Sequence, residues 1–243
     1  MDDGYIRLDE CLIRKGLVAS RARAKTLIEY GVWVDGRKLY KPGIRVKKSA
    51  KIKSTGTDFF WVSRAGLKLE HAVCTWSIDI SQKRCLDVGA STGGFTQVLL
   101  THGADSVYAV DVGHGQLAKK ILDHPRVFNL EGVDIRDISF RQIFEKVDLV
   151  TVDVSFISLT KVLPGIIKFL RSGGSMVLLV KPEFEMGRRQ KTGVIRDRGK
   201  HQKVVTDVRN FARKLGLKEA GLSESPILGV KGNKEFLLYL KYQ

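Results

Sequence analysis

Four charged residues stand where apolar, strand-like segments of the sequence end. They are Asp87, Asp111, Asp153 and Lys181. Because the carboxyl ends of strands in an open α/β sheet line one crevice, we expect these side chains to lie along the same edge. A lysine and an aspartate at the ends of buried strands are costly unless they are paired. A structural ion pair is one interpretation; the other is catalysis, in which Lys181, with a second lysine nearby, activates a hydroxyl group.

The segment 85–96, Cys-Leu-Asp-Val-Gly-Ala-Ser-Thr-Gly-Gly-Phe-Thr, predicts a strand, a tight turn and a helix. Its glycines do not match the G-x-G-x-x-G spacing of a turn that binds a pyrophosphate. The next apolar run ends in Asp111, and an acid at that place can accept both hydroxyls of an adenosine ribose. This combination favours S-adenosylmethionine, which contains a ribose and no phosphate. The alternative is a nucleotide-binding fold whose site is idle.

The composition limits the class of partner. The net charge of +16 and the isoelectric point of about 9.8 predict a polyanionic binding partner, either nucleic acid or an anionic membrane. No apolar run approaches the ~20 residues of a membrane span, and the acidic start of the chain does not resemble a signal peptide. The three cysteines, Cys11, Cys74 and Cys85, fit neither a disulfide framework nor a zinc site. We therefore expect a cytoplasmic protein.

The first quarter of the chain is the most basic part. Residues 1–60 contain 14 lysines and arginines against 7 acids. The pattern predicts one short helix from about Arg7 to Lys15 and a second from Ser20 to Gly31. Asp35-Gly36 is a strong signal for a two-residue hairpin turn. This order predicts a compact basic module, although a merely solvated basic face is the alternative.

Three motifs in this module carry a resemblance to a known family. They are Arg-Leu-Asp at 7–9, Ser-Arg-Ala-Arg-Ala at 20–24 and Gly-Val-Trp-Val-Asp-Gly at 31–36. Over about residues 6–52 the chain resembles the small RNA-binding module named after ribosomal small-subunit protein S-four. Such a surface supplies phosphate contacts, which give affinity but little sequence information. The RNA-binding residues that we predict along the whole chain are Arg7, Arg14, Arg21, Arg23, Lys25, Arg37, Lys38, Lys41, Arg64, Phe156, Arg188 and Arg189.

The remaining elements predict the fold class and the domains. Ser63 is a plausible N-cap for a helix to Trp76. Further predicted elements are strands at 107–111, 127–130, 148–154, 175–180 and 234–242, and helices from about 155 to 170 and from 200 to 215. The predicted fold is α/β, a doubly wound Rossmann-like methyltransferase sheet with a small N-terminal α+β RNA-binding domain. The predicted domains are 1–57 and 65–243, with a linker at 58–64.

Three further motifs resemble a second family over essentially the whole chain. They are the turn from Asp87 to Thr96, Val-Asp-Val-Ser-Phe-Ile-Ser at 152–158 and Val-Lys-Pro-Glu-Phe-Glu at 180–185. They are similar to the TlyA family, ribosomal RNA 2′-O-methyltransferases with an S-four-like module and an FtsJ-like domain. The resemblance implies a catalytic tetrad of Lys68, Asp153, Lys181 and Glu235. It also implies modification of cytidine ribose in ribosomal subunits.

The expected cofactor is S-adenosyl-L-methionine, with S-adenosyl-L-homocysteine as product and no required metal. The predicted cofactor-binding residues are Asp87, Gly89, Ala90, Ser91, Gly93, Gly94, Phe95, Asp111, Asp134 and Asp153. Asp134 is a candidate acceptor for the adenine amino group, where many family members have asparagine. Either side chain can accept that hydrogen bond.

The predicted reaction is an in-line displacement in which the ribose 2′-hydroxyl attacks the methyl carbon. Lys181 is the hypothetical base. The pKa of a free lysine is ~10.4, so burial and the second ammonium at Lys68 would have to lower it. Phe156 is a candidate for stacking on a base, or else a core residue.

Other functions stay open at this stage. The chain could be a non-catalytic RNA- or ribosome-binding protein, or a membrane-active hemolysin, for which the sequence offers no suitable cationic amphipathic helix. A pseudouridine synthase could carry the same N-terminal module but would have no use for an adenosine-binding turn. The basic loop that contains Arg188 and Arg189 could close over RNA or be plain surface. We expect no DNA or membrane partner, and a monomer or weak homodimer.

Overall fold

The structure is a computed structural model of the 243-residue chain. It describes residues 4–18, 20–29, 31–53, 61–187, 193–229 and 231–243, with backbone alone for 22, 23, 26, 29 and 53. The chain divides into two compact units, Met1–Phe60 and Trp61–Gln243. This boundary falls inside the segment that the sequence analysis assigns to the linker.

The first unit packs two short helices beside small antiparallel sheets. Its elements are β1 (Tyr5–Arg7), α1 (Leu8–Arg14), α2 (Arg21–Glu29), β2 (Val32–Val34), β3 (Arg37–Leu39), β4 (Arg45–Lys47) and β5 (Ile52–Lys53). Strand β1 pairs with β4, and β2 lies between β3 and β5. Asp35 and Gly36 both have positive φ, at 47° and 81°, as a type I′ hairpin turn requires. Leu8, Leu12 and Ile28 are fully buried in the core of this unit.

The second unit is organised around a seven-stranded sheet of described residues. Its strands are β6 (Arg84–Val88), β7 (Ser106–Asp111), β8 (Val127–Glu131), β9 (Val147–Val152), β10 (Leu170–Val180), β11 (Leu217–Glu224) and β12 (Phe236–Tyr242). The spatial order is β11-β12-β10-β9-β6-β7-β8. The pairs from β10 to β8 are parallel, whereas β12 is antiparallel to both β10 and β11. The strand order reverses at β6, and such switch points are where α/β sheets bind ligands.

Helices cover both faces of this sheet. They are α3 (Ala65–Trp76), α4 (Gly94–Thr101), α5 (Lys119–Leu122), α6 (Leu159–Ile167), α7 (Pro182–Glu185) and α8 (Arg198–Lys214). Residues of α3 and α4 share one core cluster with Leu237 of β12, and residues of α6 and α8 share another with Leu238. Consecutive residues of β12 therefore face opposite layers. The predicted doubly wound, Rossmann-like sheet is confirmed.

Some predicted elements differ in detail from the structure. Strand β11 was not predicted, because its sequence, Leu-Lys-Glu-Ala-Gly-Leu-Ser-Glu, is mostly polar, as suits an edge strand. Strand β10 begins at Leu170, before the predicted start at 175. The N-cap of α3 is Arg64, which already has helical dihedral angles and makes no side-chain capping bond, so the prediction of Ser63 was wrong.

The structure also bears on membrane insertion. Within the part of the chain that it describes, no helix has both the length and the apolar character needed to cross a bilayer.

Candidate active site

Four strand termini bring charged side chains to one edge of the large sheet. Asp111 is the last residue of β7, while Asp153 and Lys181 directly follow β9 and β10. Glu235 precedes β12, and the antiparallel pairing of Phe236 with Val180 places it at this same edge. Antiparallel insertion of β12 thus adds a strand start to a row of strand ends. The topology accounts for the meeting of residues that are far apart in sequence.

Two buried ion pairs form the centre of the site. The Nζ atom of Lys68, on α3, lies 2.5 Å from Oε2 of Glu235. The Nζ atom of Lys181 lies 2.5 Å from Oδ1 of Asp153. Lys68, Lys181 and Glu235 are all buried, and Asp153 is nearly so. Buried charges are tolerated when each has a partner, and here each lysine has its own carboxylate.

The two pairs also act on each other electrostatically. Burial raises the pKa of the Glu235 carboxyl above its usual value. The positive charges of Lys68 and Lys181 oppose this rise, and the negative charge of Asp153 adds to it. The charges of all three other members of the predicted tetrad therefore affect the pKa of Glu235. Two lysines and two carboxylates give this cluster a balanced charge.

Lys181 has a second partner that sequence reasoning missed. Its Nζ donates a hydrogen bond to Oγ of Ser155 at 2.9 Å and lies 5.9 Å from the centroid of the Phe184 ring. The signal available in the sequence was the hydroxyl residue two positions after Asp153. A lysine fixed by two oxygen atoms has a defined direction, so its remaining N–H points in one direction only.

The residue after Ser155 is in a strained conformation. Phe156 has φ of 65°, a region that bulky side chains rarely adopt, and its side chain is 87% exposed. Its ring lies 5.1 Å from that of Phe184. Exposure on this scale excludes the alternative of a core residue, and contact with RNA stays a prediction. Glu185, also missed, holds this segment by accepting hydrogen bonds from Ser158 Oγ and from the Leu159 backbone N–H.

The glycine-rich turn lies against the ion pairs. Gly89 has φ of 84°, and a Cβ there would lie 2.4 Å from the carbonyl oxygen of Asp153. Across the turn, Asp111 accepts hydrogen bonds from the backbone N–H groups of Ser91 and Gly113, each at 2.8 Å. A carboxylate has about four acceptor positions, so capacity remains for a ribose diol. The turn and the tetrad form one continuous site.

Other predicted cofactor residues have supporting positions. Asp87 is completely buried and accepts hydrogen bonds from Thr96 and Thr151 at 2.6 and 2.9 Å. Burial raises the pKa of Asp87 to about 7, although both hydroxyl donors act in the opposite direction. Asp87 therefore ties β6 to α4 and β9 from beneath the turn.

Phe95 and Gly94 also have packing roles in the structure. Phe95 is 2% exposed and its ring fills the core between α3 and α4. A Cβ at Gly94 would lie 2.3 Å from Oγ of Ser63 and 3.0 Å from the backbone nitrogen of Gly66. Gly94 thus allows the start of α3 to approach α4. A cofactor contact by either residue stays a prediction.

Two acids at the end of β8 and just after it hold the loops around the turn. Asp134 is bound by the guanidinium of Arg136 at 2.9 and 2.5 Å, which holds the pKa of its carboxyl below the usual value. Glu131 accepts hydrogen bonds from the backbone N–H groups of Gln116 and Leu117, a role that the sequence did not suggest. Adenine recognition by Asp134 stays a prediction. Ala90 and Gly93 lie in the turn, and Gly93, with φ of 90°, is the N-cap of α4.

The predicted RNA-binding residues have varied surroundings. Arg7 makes a bidentate ion pair with the buried Asp9, at 2.9 Å for both contacts. Arg64 donates to the carbonyl oxygen of Leu228. Arg7 and Phe156 are exposed, and the other exposed members are Arg14, Arg21, Lys25, Arg37, Lys38 and Lys41. The side chain of Arg23, and Arg188 and Arg189 entirely, lie outside the described residues.

Comparisons with known proteins agree over nearly the whole chain. Residues 61–242 match the family model described as FtsJ-like methyltransferase. A curated protein of Mycobacterium tuberculosis strain CDC 1551, "16S/23S rRNA (cytidine-2′-O)-methyltransferase TlyA", is 42% identical over 98% of this chain and 90% of its own. "Hemolysin A" of Brachyspira hyodysenteriae is 41% identical over 96% of this chain and 99% of its own.

A solved structure is similar as well. It is a protein from Streptococcus thermophilus described as a candidate hemolysin, with a TM-score of 0.76 and 39% identity. The match covers 99% of this chain and 90% of that one. The similarity therefore extends over both compact units.

Proposed function

The chain belongs to the TlyA family of FtsJ-like methyltransferases, and we propose that it transfers a methyl group from S-adenosylmethionine to a ribose 2′-hydroxyl of ribosomal RNA. The observation that carries the proposal is the pair of buried lysine–carboxylate contacts beside the glycine-rich turn. Such a site can hold a hydroxyl group and a ribose-containing cofactor next to each other.

The cofactor site is proposed at the switch point of the sheet. S-adenosylmethionine, when bound, supplies a methyl group activated by a sulfonium. The free acceptor positions of Asp111 suit the ribose hydroxyls, and the turn from Gly89 to Gly93 supplies close-lying backbone. The mismatch with the pyrophosphate-binding spacing supports a ligand without phosphates.

The proposed role of Lys181 is to accept the proton of the attacking hydroxyl in its neutral form. Asp153 and Ser155 fix the direction of its Nζ, at 2.5 and 2.9 Å. Lys68 and Glu235 form the second ion pair beside it. Positioning accounts for most of the proposed rate gain, because aligned reactants can lower a barrier by about 7 to 11 kcal/mol.

The proposed substrate is cytidine ribose in ribosomal subunits, as in the name of the mycobacterial relative. The basic first unit supports an RNA partner through phosphate contacts. A cytoplasmic location and a monomer or weak homodimer belong to the same proposal. Membrane lysis, suggested by the name of the Brachyspira relative, is the second candidate.

The test is transfer of labelled methyl from S-adenosylmethionine to unmodified bacterial ribosomal subunits. Wild type should label the RNA at the ribose 2′ position. Lys181→Ala should bind the cofactor and transfer no methyl, whereas Lys214→Ala, which alters an exposed lysine on α8, should behave as wild type. Cofactor binding without label by wild type would contradict the proposed substrate. Lysis of liposomes by wild type would favour the second candidate.

A further inference from the structure

The outer face of the small sheet β3-β2-β5 carries aromatic side chains. In β2, Val32 and Val34 are buried, while Trp33 between them is 39% exposed. Tyr40, directly after β3, is 55% exposed. The solvent face of an antiparallel sheet is ordinarily polar, so two exposed aromatic rings on one small sheet call for a partner.

Lysines flank the tryptophan on both neighbouring strands. In the strand register Trp33 lies opposite Lys38 of β3 and opposite Lys53 of β5. Directly paired residues have Cβ atoms about 4.5–5.5 Å apart, so the side chain of Lys38 lies beside Trp33 on the same face. The row across the three strands therefore reads lysine, tryptophan, lysine.

Gly31 brings Tyr40 into the same surface. The Nζ of Lys38 lies 5.6 Å from the centroid of the Tyr40 ring. A Cβ at Gly31 would lie 2.4 Å from Cε of Lys38 and 2.7 Å from Cε1 of Tyr40. Both side chains thus lean over the bare backbone of Gly31. We call the surface formed by Trp33, Lys38 and Tyr40 the aromatic face.

The sequence around the aromatic face is strongly basic. From Arg37 to Lys53 the chain has eight basic residues and no acid. The one acid in the hairpin turn, Asp35, accepts a hydrogen bond from the backbone N–H of Lys51. Aromatic rings among lysines are the combination that binds single-stranded nucleic acid, because bases stack on the rings and the cations contact phosphates.

We propose that the aromatic face binds unpaired bases of the RNA substrate, with one base stacked on Trp33 and a neighbouring one on Tyr40. The proposal rests on the proposed function for the identity of the RNA. It assigns to the first unit a base-stacking surface besides the helical basic residues Arg14, Arg21 and Lys25, which contact phosphates only. The aromatic face therefore favours single-stranded over duplex RNA, because bases in a duplex are not free to stack on it.

The experiment measures binding of the full chain to an unstructured single-stranded RNA and to a duplex of the same length. The variants are Trp33→Ala, Trp33→Phe and Tyr40→Ala. Tyr5→Ala is the matched control, because Tyr5 is an exposed aromatic residue of β1 in the other small sheet. Thermal unfolding of every variant establishes that it is folded.

We expect Trp33→Ala to weaken single-strand binding about 5- to 100-fold with an unchanged salt dependence, since stacking involves no counterion release. Trp33→Phe should retain most of the affinity and Tyr5→Ala all of it. Lys38→Ala should instead lower the slope of affinity against salt by about one counterion. Duplex RNA should bind equally to wild type and Trp33→Ala.

Wild-type affinity in folded Trp33→Ala and Tyr40→Ala would overturn the proposal, and so would an equal loss for duplex RNA. Methyl transfer is assayed separately on the same preparations. A wild type that transfers no methyl, together with single-strand binding that needs Trp33, would contradict the proposed function and leave the aromatic face established.

Discussion

The ammonium nitrogen of Lys68 lies 2.5 Å from a carboxylate oxygen of Glu235, and both side chains are buried. Neither could stay charged at this depth without the other. The contact joins α3, the first helix of the second unit, to the start of β12, the last strand. It therefore belongs both to the site and to the stability of the unit.

We expect Glu235→Gln to destabilise the protein by about 3–5 kcal/mol, because it leaves the Lys68 charge buried without a counterion. The double variant Lys68→Met, Glu235→Leu removes both charges and should recover most of this loss. Denaturant unfolding measures stability, and methyl transfer measures activity. The double variant should stay inactive; activity in it would contradict a catalytic role for this pair.

The pKa of Asp87, raised to about 7 by burial, predicts a pH-dependent stability. Between about pH 4 and 7 the folded protein holds a proton that the unfolded chain has lost. The stability that comes from binding this proton is complete below the pKa of Asp87 in the unfolded chain, and it is lost as the pH rises through 7. The side chain of Asp87→Asn cannot titrate, so its free energy of unfolding lacks this dependence on pH. Between pH 4 and 7 the wild type should therefore lose a few kcal/mol of stability relative to the variant.

Denaturant unfolding at a series of pH values tests this prediction for Asp87. Asp105→Asn, at an exposed aspartate, serves as the control and should follow the wild-type curve. Parallel curves for wild type and Asp87→Asn would mean that Asp87 does not hold the proton.

Alanine substitutions at Gly89 and Gly173 distinguish the cost of a left-handed backbone conformation from the cost of a steric clash. Both have positive φ, at 84° and 74°, but a Cβ meets the Asp153 carbonyl oxygen at Gly89 and nothing within 4 Å at Gly173. We expect Gly173→Ala to lose about 1–2 kcal/mol from the left-handed conformation alone. Gly89→Ala should lose more, and it should also weaken cofactor binding. Calorimetric titration with S-adenosylmethionine would check this, and equal losses for the two variants would contradict it.

We expect replacement of Phe156 by glycine to change stability and activity in opposite directions. Its positive φ is unfavourable and its side chain is mostly exposed, so Phe156→Gly should stabilise the fold by about 1 kcal/mol. Methyl transfer to RNA should fall at least about fivefold if the ring stacks on a base, as about 1–3 kcal/mol per stacked base implies. Phe144→Gly changes an exposed phenylalanine outside the positive-φ residues and should give no such stabilisation. Full activity in Phe156→Gly would exclude the stacking role.

Local patterns in the sequence were sufficient for much of the fold. The Asp35-Gly36 turn and the buried parallel strands follow from short motifs and from apolar runs. Strand β11 was missed because only its pairing with β12 makes a polar segment extended. Residue types cannot reveal such a non-local contribution.

In the candidate site, too, local patterns predicted some features, and non-local contacts determined the others. The sequence predicted Asp153 and Lys181 at neighbouring strand ends, and the resemblance implied Lys68 and Glu235. Which lysine pairs with which carboxylate depends on the antiparallel insertion of β12 between β10 and β11, which no local pattern encodes. Ser155 and Glu185 were missed because their hydrogen bonds depend on how two loops meet.

The position of β12 has a consequence for the order of assembly during translation. It is an inner strand, between β10 and the edge strand β11, yet the ribosome makes it after both. Until β12 docks, nascent chains expose the edge of β10, and Lys68 has no counterion to draw it into the interior. A growing chain therefore cannot assemble the predicted tetrad, and the proposed methyl transfer must wait for β12 to be made.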